Sequence, residues 1–207
     1  MKIFLIGSSG HSKCVYAALL AQGIYDVAGL ISEDQVTDLP VPIVGNDRTR
    51  EQAAEKYGTK RFIIAFGGDL KRRQDVFEDY LNSGWEPVNI IHPSAILGPD
   101  VKLGRGVLIE AGAIITPNPV LGDNVIINPG VLINHDNTIG SHTQLATGVA
   151  TAGGIEIGER VLIGTGTSLI PRVKIADDVV VGAGACVTKD LLEVGTYVGV
   201  PARKLLK

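Results

Sequence analysis

From Ile91 onward the chain places an aliphatic residue at every sixth position. The series runs Ile91, Leu97, Leu103, Ile109, Ile115, Leu121, Ile127, Ile133 and Ile139, then Leu145, Thr151, Ile157, Ile163, Leu169, Ile175, Val181 and Val187. Only Thr151 is not aliphatic. Two residues before each step the side chain is mostly small or β-branched, as at Ala95, Val101, Ala113 and Val131. Glycine follows the step at Gly98, Gly104, Gly122, Gly140, Gly158, Gly164 and Gly182. A period of six is neither helical nor a simple strand alternation. It fits short strands joined by tight turns, three to a coil of eighteen residues, with one aliphatic per face stacked on its equivalent in the next coil. The pattern therefore predicts a left-handed parallel β-helix, an exception to right-handed crossovers. Gly or Asn after the ladder residue is expected to supply the positive φ of the corners.

The first ninety residues follow a different rhythm. Lys2–Ile6 reads as a buried strand running into Gly7-Ser8-Ser9-Gly10-His11-Ser12, and a helix is expected from about Lys13 to Gln22. Strands are expected at Tyr25–Ile31, Val41–Val44 and Arg61–Phe66, and helices at Arg48–Tyr57 and Asp69–Asn82. A last strand, Val88–Ile91, leads into the repeat. Strand, Gly-rich turn, helix, strand is the βαβ pattern of nucleotide-binding folds. The division is thus a small Rossmann-like α/β domain over residues 1–90 and an all-β domain over 91–207.

Composition sharpens that division. Nine of the ten aromatic residues precede residue 90 and only Tyr197 follows, while 17 of the 26 glycines lie in the second part. A narrow prism has no room for rings. Charge is nearly balanced, 19 basic against 22 acidic residues, and no basic run occurs, which argues against nucleic-acid binding. Cys14 and Cys186 are too few and too far apart for a disulfide scaffold or a thiolate zinc site. No apolar stretch approaches a membrane span, and the apolar start turns polar at Gly7, too early for a signal peptide; a cytoplasmic protein is expected.

The candidate chemistry lies in the Gly-rich turn and the histidines. Backbone N–H groups of such a turn and the helix N-terminus can hold a phosphate. Gly7-x-x-Gly10 lacks the full dinucleotide fingerprint, and Ser32 stands where an acidic residue would end the second strand, with Glu33 and Asp34 following. His11 closes the turn, His92 before Pro93 reads as structural, and His142 reads as a solvated turn residue. His135 lies two residues past ladder residue Ile133, so its ring is expected outside the prism core. Asp136 follows it, and a carboxylate beside an imidazole favours the basicity a general base needs.

Taken together, Gly7-Ser8-Ser9-Gly10-His11, Ile63-Ile64-Ala65-Phe66-Gly67, Ile133-Asn134-His135-Asp136 and Val198-Gly199-Val200-Pro201-Ala202-Arg203 resemble the bacterial sialic-acid O-acetyltransferase and nucleotide-amino-sugar N-acetyltransferase family over essentially the whole chain. The resemblance implies a homotrimer with acetyl-CoA between adjacent β-helices and a nucleotide-linked sugar, UDP or GDP, held by the first domain. It further implies His135 as base and Asp136 as its partner. Ser9, Gly10, His11 and Gly67 would contact the nucleotide-sugar, and Asn128 and Asn134 would line the cleft. Gln144, Thr165 and Ala183 would meet the cosubstrate, Gln144 standing where the family often has a second histidine.

Three rivals remain. A γ-type carbonic anhydrase needs three histidines around zinc, and the repeat offers only His135 and His142, so no metal site is expected. A non-catalytic sugar-nucleotide-binding scaffold would lack CoA binding. Sialic-acid O-acetylation competes within the enzyme class, and the sequence offers no clean discriminator.

Overall fold

The computed structural model describes residues 1–205; residues 206–207, the end of the second expected domain, lie outside it. In the first part, five parallel strands form one sheet in the order β3–β2–β1–β4–β5, where β1 is Lys2–Ile6, β2 Asp26–Ile31, β3 Ile43–Gly45, β4 Arg61–Ile64 and β5 Glu86–Pro87. Helices α1 (Gly10–Gln22), α2 (Arg50–Tyr57) and α3 (Leu70–Asn82) connect them. Apolar runs such as Ile3-Phe4-Leu5-Ile6 suit strands covered on both faces. One face of the sheet carries an aromatic cluster of Phe4, Phe62, Phe77, Tyr80 and Trp85. The other carries Ile3, Leu5 and Ile63 under Val15, Ala18 and Leu19 of α1.

Two expected boundaries move. Helix α1 begins at Gly10, directly after Ser9, so the Gly-rich turn contributes the helix's first turn rather than a separate loop. The single strand expected at Val88–Ile91 divides. Glu86–Pro87 closes the α/β sheet, whereas Ile90–Ile91 pairs with Leu108–Ile109 as the first strand of the repeat. Asp69 caps α3 by accepting the Arg72 N–H at 3.0 Å, an arrangement worth about 1 kcal/mol.

The second part is the left-handed parallel β-helix that the six-residue period predicts. Its first face holds Ile90–Ile91, Leu108–Ile109, Ile126–Ile127, Gln144–Leu145, Leu162–Ile163 and Val179–Val181, and is completed by Gly195–Val198 and Arg203–Lys204. The second face stacks Ile96–Leu97, Ile114–Ile115, Leu132–Ile133, Ala150–Thr151, Ser168–Leu169 and Cys186–Val187. The third stacks Lys102–Leu103, Val120–Leu121, Thr138–Ile139, Glu156–Ile157 and Lys174–Ile175. Each coil pairs in register with the next, Ile115 on Ile133 and Ile127 on Leu145 for example. The inward residues form one continuous core. Truncating one of its fully buried members, Ile133 to alanine, removes about 2–5 kcal/mol of stability.

The corners correct one expectation. Positive φ does not follow the ladder residue directly; it falls at the third residue past it, at Gly130, Gly148 and Gly166 and at non-glycine Asn118, Asp136 and His142. The glycine beside the ladder residue is needed for close approach instead. A Cβ at Gly122 would lie 2.6 Å from the Ser141 backbone nitrogen of the next coil.

The two parts share a core. Outward residues of the first face, Ile90, Leu108 and Ile126, are buried against α1. The corresponding outward positions of the second face, Ile96 and Ile114, are left exposed.

Candidate functional site

The strands of the α/β sheet end at a pocket. It is lined by Ser8, Ser9, Ser32, Asp34, Gly67 and Arg72, among others. Ser8 Oγ donates to the Asp34 carboxylate and lies 2.9 Å from Ser32 Oγ, so the acidic end of β2 is tied to the Gly-rich turn. Glu33 and Asp47 also line the rim. The Arg72 guanidinium lies 5.3 Å from the Phe66 ring centre, a planar cation at the mouth of the pocket. A crevice beyond the carboxyl ends of parallel strands is where α/β folds take nucleotides.

His135 lies on a different edge, where the second face turns into the third. Three successive coils build this edge. From the coil below, Asn118 donates its amide to Asp136 Oδ1 at 2.9 Å. In the middle coil, His135 Nδ1 lies 2.7 Å from Asp136 Oδ2. In the coil above, Gly153 lies under the imidazole, where a Cβ would come within 2.5 Å of Cε1 and Nε2. The His135 side chain is 63% exposed, so the ring stands outside the prism as expected. Asp136 has φ +60°, a conformation that residues other than glycine adopt at a cost. The bonds from His135 and Asn118 hold its carboxyl below the usual carboxylate range. An ionised carboxylate only accepts, so Nδ1 carries the proton of this bond, and in the neutral ring Nε2 is the nitrogen free to accept one.

Behind that corner sits the one polar ladder residue. Buried Thr151 Oγ1 receives the Asn134 N–H at 3.1 Å and the Asn137 amide at 2.6 Å. Asn134 in turn donates its amide to the Thr151 carbonyl at 2.9 Å, and Asn137 Oδ1 receives the Ile155 N–H at 2.7 Å. The segment carrying His135 and Asp136 is therefore gripped at both ends by a hydroxyl where an aliphatic would offer nothing.

His142, expected to be solvated, is buried. It lies on the edge between third and first faces, and its ring packs edge-on against Phe77 at 5.7 Å between centres. Asn124 lies 3.1 Å from its Nδ1. Fully buried Arg73 of α3 donates to the Asn124 carbonyl at 2.5 Å, to Asn124 Oδ1 at 2.9 Å and to the His142 carbonyl at 3.3 Å. Burial, and the charge of Arg73 after it, push the His142 pKa down to about 4. The sequence shows a corner histidine but not that α3 will cover it. His135 and His142 therefore occupy separate edges and do not converge on one ion.

The edge between first and second faces carries the remaining candidates. Asn128, Thr165 and Ala183 recur on it in different coils, with Gly184 N–H donating to the Thr165 carbonyl at 2.8 Å. Gln144 bridges the two parts of the chain: Oε1 receives the Gly68 N–H at 3.1 Å and Nε2 donates to Asn128 Oδ1 at 2.8 Å. Asn128 Nδ2 then donates to Glu110 Oε2 at 3.0 Å.

Within one chain, then, Ser9 and Gly67 meet at the strand-end pocket, and Asn134, His135 and Asp136 meet on another edge. Gly10 and His11 do not line the pocket; the His11 ring turns toward Glu110 and Cys14. His92 Nδ1 receives the Ser94 N–H at 3.1 Å, in keeping with a structural role. Arg72 and Asp47 escaped the sequence reading, although Asp69-x-x-Arg72 after the Gly67-Gly68 strand end was a usable signal. No described helix is long and apolar enough to cross a membrane.

Comparison with known proteins follows the same division. Residues 2–80 match the PglD N-terminal domain, and residues 154–189 match the bacterial transferase hexapeptide repeat. The structure of PerB from Caulobacter crescentus in complex with CoA and GDP-perosamine superposes with a TM-score of 0.94 at 38% identity, covering 99% of this chain and 97% of that one. A histidine variant of perosamine N-acetyltransferase from the same organism, also with CoA and GDP-perosamine, gives 0.95 at 36%, covering 100% and 98%. The acetyltransferase domain of PglB from Neisseria gonorrhoeae, in complex with acetyl coenzyme A, gives 0.89 at 27%, covering 99% and 98%. No protein of curated function matches the chain.

Proposed function

The chain belongs to the hexapeptide-repeat nucleotide-amino-sugar N-acetyltransferases, and from that premise we propose that it carries acetyl from acetyl-CoA to the amine of a nucleotide-linked 4-amino sugar, with His135 as general base. The observation that carries this reading is the exposed His135–Asp136 pair on an open edge of the β-helix. A sugar amine is protonated in water and must lose a proton to attack a thioester. Nε2 of His135 accepts it, directly or through a water, while Asp136 holds the ring by Nδ1. The amine nitrogen bonds to the acetyl carbon, the tetrahedral intermediate collapses, and the CoA thiolate leaves. A backbone N–H of the neighbouring subunit is the donor for the oxyanion. Neither cysteine lies near His135 in sequence, so transfer is direct.

The nucleotide sits in the pocket at the strand ends, its diphosphate on Ser9, Gly67 and the α1 N-terminus, with Arg72 as counter-charge. Glu33 and Asp34 take the place of the paired acidic contacts to the nucleoside. Because that pocket and His135 lie on different edges, a complete site needs two subunits. The apolar outward stripe Ile96, Ile114, Leu132 and Ala150 of the second face supports a homotrimer. Asn128, Thr165 and Ala183 then line the groove for the pantetheine arm opposite the neighbour's His135. The reaction belongs in the cytoplasm, where CoA thioesters and nucleotide sugars are made.

The test is thiol release from acetyl-CoA against GDP-perosamine, other GDP- and UDP-linked 4-amino sugars and free sialic acid, with wild type and His135→Ala. Turnover of one amino sugar, lost in the variant, is expected. Turnover on sialic acid alone would move the reading to O-acetylation, and binding of sugar nucleotide without CoA would point to a scaffold.

A further inference from the structure

A cluster of metal-ligating side chains lies at the junction of the two parts, away from both the pocket and the His135 edge. His11 and Cys14 stand at i and i+3 in the opening turns of α1, on one helix face. Glu110 reaches them from the corner after Leu108–Ile109. One ligand atom from each residue lies within 4.8 Å of the other two.

Two of these residues carry an unpartnered atom. His11 Nε2 and Glu110 Oε1 are both buried without a hydrogen-bond partner, and Glu110 is only 3% exposed. Buried polar atoms are normally paired, so two left unpaired in one cluster call for a third body. A water would satisfy that pair and gain little from a thiol. A cation that takes imidazole, thiolate and carboxylate together uses all three groups.

We propose that His11, Cys14 and Glu110 form a binding site for a zinc-class divalent cation that ties α1 to the first coils of the β-helix, with the fourth position open to water. Mixed N, S and O donors at about 2.0–2.3 Å are what such ions accept. An ion at those distances holds neighbouring donors roughly 3–4 Å apart, against separations here of at most 4.8 Å. Thiolate and carboxylate together balance a 2+ charge. The outer partners are in place: Glu110 Oε2 is held by Asn128, Asn128 by Gln144, and Gln144 by the Gly68 N–H at the pocket rim. Hydrogen-bonded ligand carboxylates of this kind are the usual companions of metal sites. Exposed Cys14 gives the ion a way in.

The protonation states agree. Burial, then the charge of Arg73, lower the His11 pKa to about 4, leaving the neutral imidazole that ligates. Burial raises the Glu110 carboxyl, while burial and then the nearby Glu110 charge raise the Cys14 thiol. Binding therefore displaces protons from those two groups and tightens as pH rises.

Full-length protein freed of metal by chelator is titrated with Co²⁺ as a spectroscopic probe and with Zn²⁺ by calorimetry. The expected result is one equivalent per chain, a thiolate-to-cobalt charge-transfer band, and a melting temperature raised by Zn²⁺. Cys14→Ser, conservative and on the surface, should abolish the band and weaken Zn²⁺ at least about tenfold, while Cys186→Ser keeps both. Absence of stoichiometric binding, or Zn²⁺ affinity unchanged by Cys14→Ser, overturns the proposal. Acetyl transfer is read separately by thiol release, so the two proposals fail independently.

Discussion

Two successive corners of one prism each carry a histidine, His135 two residues past Ile133 and His142 three past Ile139, and their fates are opposite. His135 stands out from the edge between the second and third faces, paired with Asp136 and resting on Gly153. His142 is sealed beneath α3, packed on Phe77 and neutral beside Arg73. The local backbone hardly differs, since φ is +60° at Asp136 and +63° at His142. What covers the corner decides the chemistry. The first part of the chain masks one edge and leaves the other open.

The largest effect should come from the open corner. His135→Ala is expected to lower kcat by about 10²–10⁴-fold, the range of a lost general base, with an unchanged melting temperature. A variant that keeps its activity would remove the distinction between the corners. At the closed corner the effect should fall on stability instead. Arg73→Ala strips the donor from the buried Asn124 and His142 acceptors and should destabilise by about 1–3 kcal/mol, measured by urea unfolding.

Thr151→Val probes what holds the open corner. It leaves the Asn137 amide and the Asn134 N–H without their acceptor, at about 1–3 kcal/mol. It should lower kcat more than it raises either KM, and Thr151→Ser should restore it. Asp136→Asn should lower kcat by about tenfold and alter the pH profile of kcat, because the ring loses its fixed tautomer.

The smallest effect concerns pH. The folded pKa of His142 lies at about 4, below the 6.5 of an unfolded histidine, so between those values the unfolded chain binds the extra proton. Stability should be full above pH 6.5 and fall as pH drops toward 4. Protonation would place a third cation beside Arg73 and Arg160, offset in part by Glu78 and Asp123. His142→Asn, which tolerates positive φ, should roughly halve the slope in that range, since His11, also lowered to about 4, contributes the rest.

The β-helix was legible because a narrow prism admits one inward aliphatic per face, and sixteen of seventeen ladder positions meet that demand. His135 was legible for the same reason, since counting from Ile133 puts it outside. The closed corner was not. Phe77 and Arg73 arrive from α3, far upstream in sequence, and no period announces which edge a neighbouring domain will cover. Glu110 was hidden in the same way, its partners His11 and Cys14 lying about a hundred residues earlier. The corner glycines were seen but given the wrong task, because close approach of coils and positive φ both favour glycine and sequence alone does not separate them.

The central claim is that the open corner serves a neighbour's pocket, and co-expression of two inactive variants tests it most directly. His135→Ala keeps its pocket, and Arg72→Glu keeps its base while repelling the diphosphate. In a cyclic trimer each mixed assembly has one junction with both parts intact, so random mixing should restore about a quarter of wild-type acetyl transfer. Mixed trimers that form but stay silent would contradict the account, and would place His135 and its substrate within a single chain.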